Sequence, residues 1–89
     1  MRDYSNLLDA GVAAQLEKLK ENEHKKGFED VDIYYVYRRI HDEYRELGEE
    51  IFYDKFQNNI DYNKVRREAA DIANFAHMII VKCNQELNK

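Results

Sequence analysis

The chain has 89 residues and a mass of 10.7 kDa, with 44% hydrophobic and 36% charged residues, no proline, three glycines and one cysteine. Such a mass suits one small domain spanning 1–89, able to bury about 65% of its unfolded surface, and the composition excludes a linker, a β-sandwich, a collagen and a disordered tail. No apolar run approaches the ~20 residues of a membrane span, and a net charge of −4 argues against a basic nucleic-acid scaffold.

The first helix is expected from Ser5 to Asn22, with Leu8, Val12, Leu16 and Leu19 recurring every three or four residues. It should end in the polar stretch before Gly27, which supplies a turn. A second helix should begin near Asp30 or Asp32 and reach about Phe56, with an apolar row of Ile33, Tyr37, Ile40, Tyr44, Leu47 and Ile51. Gln57, Asn58 and Asn59 read as the loop that follows. The third helix should run from Asp61, its N-cap, to Leu87, with Val65, Ala69, Ile72, Ala76, Ile79, Cys83 and Leu87 in a row.

Both long rows have the spacing of bundle seams, so the fold class is all-α: an antiparallel bundle of three helices per chain. Seven tyrosines and four phenylalanines add apolar surface that a thin three-helix core leaves uncovered. Homo-oligomerisation, as a homodimer or homotetramer, is expected to complete the bundle. No signal-peptide core follows Met1, and the lone Cys83 has no internal disulfide partner. A reducing cytoplasm is therefore the expected setting, with neither membrane nor nucleic acid as partner.

The negative charge is concentrated. Asp42, Glu43, Glu46, Glu49 and Glu50 stand with one base, Arg45, while the rest of the chain balances. At ~100° per residue, Glu43, Glu46 and Glu50 form a stripe beside the apolar row of the second helix. Glu68 and Asp71 hold the same place relative to the third helix's row. A hairpin folding at position 57 sets the two pairs level, about 18 Å from the turn. Four clustered carboxylates repel, and three remedies are open: protonation, pairing with Arg39, Lys64 or Lys82, or a hard divalent cation such as Mg²⁺.

Glu43-Tyr44-Arg45-Glu46 followed by Glu68-Ala69-Ala70-Asp71 resembles the ExxE…ExxD pattern of the MazG-like all-α nucleoside triphosphate pyrophosphohydrolases. The segment from Leu19 to Phe28 is similar to the one before that family's first metal helix, and Arg67 to Ala76 to its second; the resemblance covers about residues 16 to 87. The family pattern would place Gly at Lys26 and Trp at Phe28. The resemblance implies that Glu43, Glu46, Glu68 and Asp71 hold Mg²⁺, with Mn²⁺ as an alternative. It implies hydrolysis of a nucleoside triphosphate to a monophosphate and pyrophosphate. A spare carboxylate can accept the proton of the attacking water, and between Glu46 and Glu43, which the sequence does not separate, Glu46 is preferred.

Other residues are candidates for holding the substrate. Lys64 and Lys82 share the acidic side and stand either for phosphate binding or for salt bridges with the carboxylates. Lys25 is a phosphate clamp or part of a charged loop, and Asn74 meets a nucleotide or makes an interface hydrogen bond. Phe28 and Phe75 flank a base or belong to the core. His41 and His77 turn away from the acids and are not expected to bind metal. The competing class is a non-catalytic helical module that oligomerises or regulates and keeps only the bundle.

Overall fold

The computed structural model describes residues 4–21, 32–57 and 59–89, the side chains of 53–57 excepted. Three helices fill them: α1 (Ser5–Glu21), α2 (Ile33–Gln57) and α3 (Tyr62–Leu87). No strand occurs among the described residues. The expected Gly27 turn lies outside them, and α2 continues through Gln57 into the predicted loop.

Local chemistry sets the helix starts. Asp61 has extended backbone, and its carboxylate accepts from the Lys64 amide at 3.2 Å, relieving one of the orphan N–H groups of the first turn. Asp32 does the same for α2, accepting from the Tyr34 amide at 2.9 Å.

The α3 helix is the centre of the molecule, and α1 and α2 pack on it. Between α2 and α3 the partners are Arg39 with Phe75, Glu43 with Glu68 and Asp71, and Glu50 with Lys64. The partner on α3 falls as that on α2 rises, symmetrically about position 57. Between α1 and α3 the partners are Gln15 with Asn74, Lys18 with Asp71 and Glu21 with Arg67.

The burial pattern departs from the expected seams. Among described apolar residues only Val36 and Ala70 are buried, whereas Glu43 and Asn74 are buried too. Tyr37 and Tyr44 are exposed at 68% and 70% of their surface. On α3, Val65, Ile72 and Ile79 are half-buried, but Ala69, Ala76, Cys83 and Leu87 are exposed. Ile40, Leu47 and Ile51 of the α2 row are half-buried as well, so on both helices the most buried line lies between the apolar row and the acidic stripe. Polar pairing across the α2–α3 and α1–α3 contacts accounts for this offset, because each buried polar group must meet a partner.

The α1 helix docks by its polar edge. Gln15 Nε2 donates to Asn74 Oδ1 at 3.1 Å, and Asn74 Nδ2 donates to the Gln15 carbonyl at 3.1 Å. Arg67 forks onto Glu21 with bonds of 2.8 and 3.0 Å. Leu8, Val12 and Leu16 face solvent.

Asn74 therefore ties α1 down with two bonds that no aliphatic residue can make. Asn74→Ala should cost about 1–3 kcal/mol, since it strands both Gln15 groups. The measurement is urea unfolding with hydrogen exchange on α1. Unchanged α1 exchange would show that its docking does not depend on this residue.

Candidate functional site

The acidic site forms where the middle of α2 meets α3, with α1 closing one side. Glu43 comes from α2, while Glu68 and Asp71 lie three apart on α3 and share a face for that reason. One ligand oxygen from each of the three lies within 4.8 Å of the others. Glu43 is only 6% exposed, and Glu68 and Asp71 are half-buried.

Each carboxylate has a different environment. Arg39 Nη2 donates to Glu43 Oε1 at 2.9 Å, one turn away on the same helix. The guanidinium also lies 5.7 Å from the Phe75 ring centre, a cation–π distance that fixes its plane. Lys18 approaches Asp71 Oδ2 at 3.3 Å and Glu21 Oε2 at 3.5 Å, so α1 supplies a cation to the cluster. Glu68 Oε2 is buried and has no hydrogen-bond partner.

The electrostatic result falls on Glu43. Burial, above all, pushes its carboxyl up to about 7. The protonated group also donates to Glu68, and the charges of Glu46, Asp71 and Glu68 repel its anion. These effects outweigh the Arg39 contact, which acts in the opposite direction.

The other candidates separate into groups. Glu46 is exposed and outside the gathered oxygens, yet close enough for its charge to act on Glu43. Lys64 pairs with Glu50 at 2.7 Å, and this hydrogen bond raises its pKa. Lys82 pairs with Glu86 at 3.1 Å, about three turns along α3 from Asp71. Asn74 is one turn beyond Asp71, buried and engaged with Gln15. Lys25 and Phe28 lie outside the described residues.

Lys18 and Gln15 went unnoticed in the sequence because α1 was followed by its leucine row. Their signal was the three-residue repeat Gln15, Lys18, Glu21, beside the small residues Gly11 and Ala14. Polar groups on the small-residue side of a helix can reach a neighbour whose backbone comes close.

Three inward carboxylates, one of them short of a hydrogen-bond donor, make a hard oxygen donor set of the kind Mg²⁺ or Mn²⁺ accepts. Comparison of the chain with protein-family models, curated proteins and solved structures finds no match.

The raised pKa of Glu43 has a definite sign for stability. The folded chain keeps this proton to about pH 7, while the unfolded chain releases it near the ordinary 4.5. The contribution is complete below 4.5 and is lost as the pH rises through about 7. Glu43→Gln should flatten that fall and exceed wild type in stability above pH 7, read by urea unfolding without divalent ions. An unaltered pH slope would place the proton on another group.

Proposed function

We propose that the chain is a Mg²⁺-dependent nucleoside triphosphate pyrophosphohydrolase of MazG-like type. The observation that carries the reading is the convergence of Glu43, Glu68 and Asp71 within 4.8 Å, with a buried Glu68 oxygen lacking a donor. The resemblance of the Glu43–Glu46 and Glu68–Asp71 segments to that family supplies the reaction.

In this reading Glu43, Glu68 and Asp71 hold the ion, and Glu46 stands at the open edge of the site. When held there, Mg²⁺ would neutralise triphosphate charge and make a coordinated water more acidic. Arg39 fixes the Glu43 oxygens, and Phe75 fixes Arg39. Glu46, exposed and beside the cluster, is the base that takes the water's proton. Buried Glu43, by contrast, must give up its own proton before it can bind an ion. The products are a nucleoside monophosphate and pyrophosphate.

The finer architecture belongs to the same proposal. The α2–α3 partners are ordered as in an antiparallel hairpin, and the α1–α3 partners follow the same rule. The chain acts as a homodimer or homotetramer in a cytoplasmic setting, and the apolar side chains that the single chain leaves exposed support assembly.

A second reading has its own support. Arg39 and Lys18 already satisfy Glu43 and Asp71, as in a salt-bridged helical module without catalysis. Under that reading Glu68 alone is left without a partner for one oxygen.

Assays of pyrophosphate release over a panel of nucleoside triphosphates distinguish the two. Glu68→Gln and Asp71→Asn should each lower kcat/KM by about 100-fold, roughly 2.7 kcal/mol of transition-state stabilisation. Millimolar Mg²⁺ should raise the melting temperature of wild type but not of Glu68→Gln, because only the folded chain gathers the ligands. Absence of both release and melting shift would leave the helical module.

A further inference from the structure

Lysine side chains are seldom covered, because the ammonium is strongly hydrated. Lys18 has the least exposed side chain of the described lysines, at 15% against 32% for Lys82 and 57% for Lys64. Its Nζ lies 3.3 Å from Asp71 Oδ2 and 3.5 Å from Glu21 Oε2. Arg67 grips Glu21 in turn. The result is a line of alternating charge, Arg67, Glu21, Lys18 and Asp71, that passes from α3 to α1 and back.

The two ends of this line differ. Arg67 and Glu21 stand largely in solvent, where water screens their attraction. Lys18 and Asp71 form the inner end, and Asp71 is one of the three acids whose ligand oxygens gather within 4.8 Å. Arg39 likewise serves Glu43, but it belongs to the same helix as its acid and is seated on Phe75. Lys18 comes from another helix. Its charge reaches the site only through the docking of α1.

An ammonium and a metal ion draw on the same carboxylate lone pairs. A hard divalent cation needs those oxygens, and a second cation on one of them repels it strongly where little water intervenes. The chemistry of lysine suits a charge that yields. Its ammonium is a compact point on a flexible stem that can lean back toward Glu21, whereas the rigid fork of an arginine would stay on the carboxylate.

We propose that Lys18 is the built-in counter-ion of the acidic site and competes with a divalent cation for Asp71, so that α1 sets how tightly the site takes metal. This competition presupposes the metal-binding part of the proposed function and concerns affinity rather than the hydrolytic step. By reciprocity, Lys18 loses as much of its hold on Asp71 as it takes from the metal affinity. The Gln15–Asn74 and Glu21–Arg67 contacts lie outside the competition.

Calorimetric titration with Mg²⁺ alone, at one pH and ionic strength, tests wild type, Lys18→Met and Lys18→Arg. Lys18→Met keeps an unbranched stem without the charge and should bind Mg²⁺ at least about tenfold more tightly than wild type. Lys18→Arg should bind more weakly. A merely structural lysine gives the reverse for Lys18→Met, since losing the contact loosens the site. Equal or weaker binding by Lys18→Met, with wild type still binding, overturns the proposal and leaves hydrolysis standing. Binding by Lys18→Met alone supports it. No binding by any of the three overturns it together with the metal-dependent function.

Should the variants unfold, the amine of wild type decides. Acetylation of Lys18 by acetic anhydride, read by peptide mass spectrometry, should be at least about threefold faster with saturating Mg²⁺ than with EDTA. Lys89, paired with Glu86 just past the end of α3, should react equally in both. An unchanged Lys18 rate overturns the proposal.

Discussion

Removing the Glu43 carboxylate from water beside Glu68 and Asp71 is the constraint that the rest of the structure accommodates. A buried anion among like charges is expensive, and the three helices carry the means of relief. Arg39 comes from the preceding turn of α2, Lys18 from α1, and a proton is held on Glu43 to about pH 7. Each remedy fixes geometry as well as charge. Arg39 is seated on Phe75, which ties α2 to α3, and Lys18 helps tie α1 to the same helix. The polar site is thus part of what organises the helices.

That organisation has an apolar consequence. A helix has a limited circumference, so turning the acids inward on α2 brings Tyr37 and Tyr44 out. The same rotation on α3 moves Ala69, Ala76 and Cys83 to the surface. At about 25 cal/mol per Å² of apolar area, a single chain forgoes a large share of its possible stabilisation. A chain with Val36 and Ala70 as the buried apolar residues among those described is short of core for its length. Charge placement and exposed seam are two views of one rotation.

Helix identity was legible in the residues because it depends on local chemistry. The absence of proline, the Asp61 cap and the apolar periods led to three helices with ends near those observed. The meeting of Glu43 with Glu68 and Asp71 was legible as well, because those positions balance about residue 57. Rotation was not legible. A row of apolar residues indicates which face is buried somewhere, but not whether its own chain or another covers it. Glu46 illustrates the point: it shares the acidic stripe with Glu43, yet sits at the exposed edge of the cluster. The docking edge of α1 was hidden for a related reason, since Gln15 and Lys18 pack through polar bonds while the leucines that drew notice face solvent.

The weight of the catalytic reading against the structural one turns on how completely the carboxylates are satisfied. A salt-bridged helix face should give each buried oxygen a donor, because leaving one bare costs about 1–3 kcal/mol. Glu43 has Arg39 and Asp71 has Lys18, but Glu68, with its Oε2 buried, has no cationic partner among the described residues and only the proton held on Glu43 to relieve it. One ligand oxygen of each of the three lies within 4.8 Å of the others, and the ammonium of Lys18 is already committed to Asp71 and Glu21. An ion there would offset the burial and the repulsion that together keep Glu43 protonated, and would share Asp71 with Lys18. The α1 helix would keep its hold through Gln15 and Glu21, whose partners Asn74 and Arg67 lie outside the cluster. Under the proposed function, a divalent cation would therefore leave in place the Gln15–Asn74 and Glu21–Arg67 contacts that position the first helix.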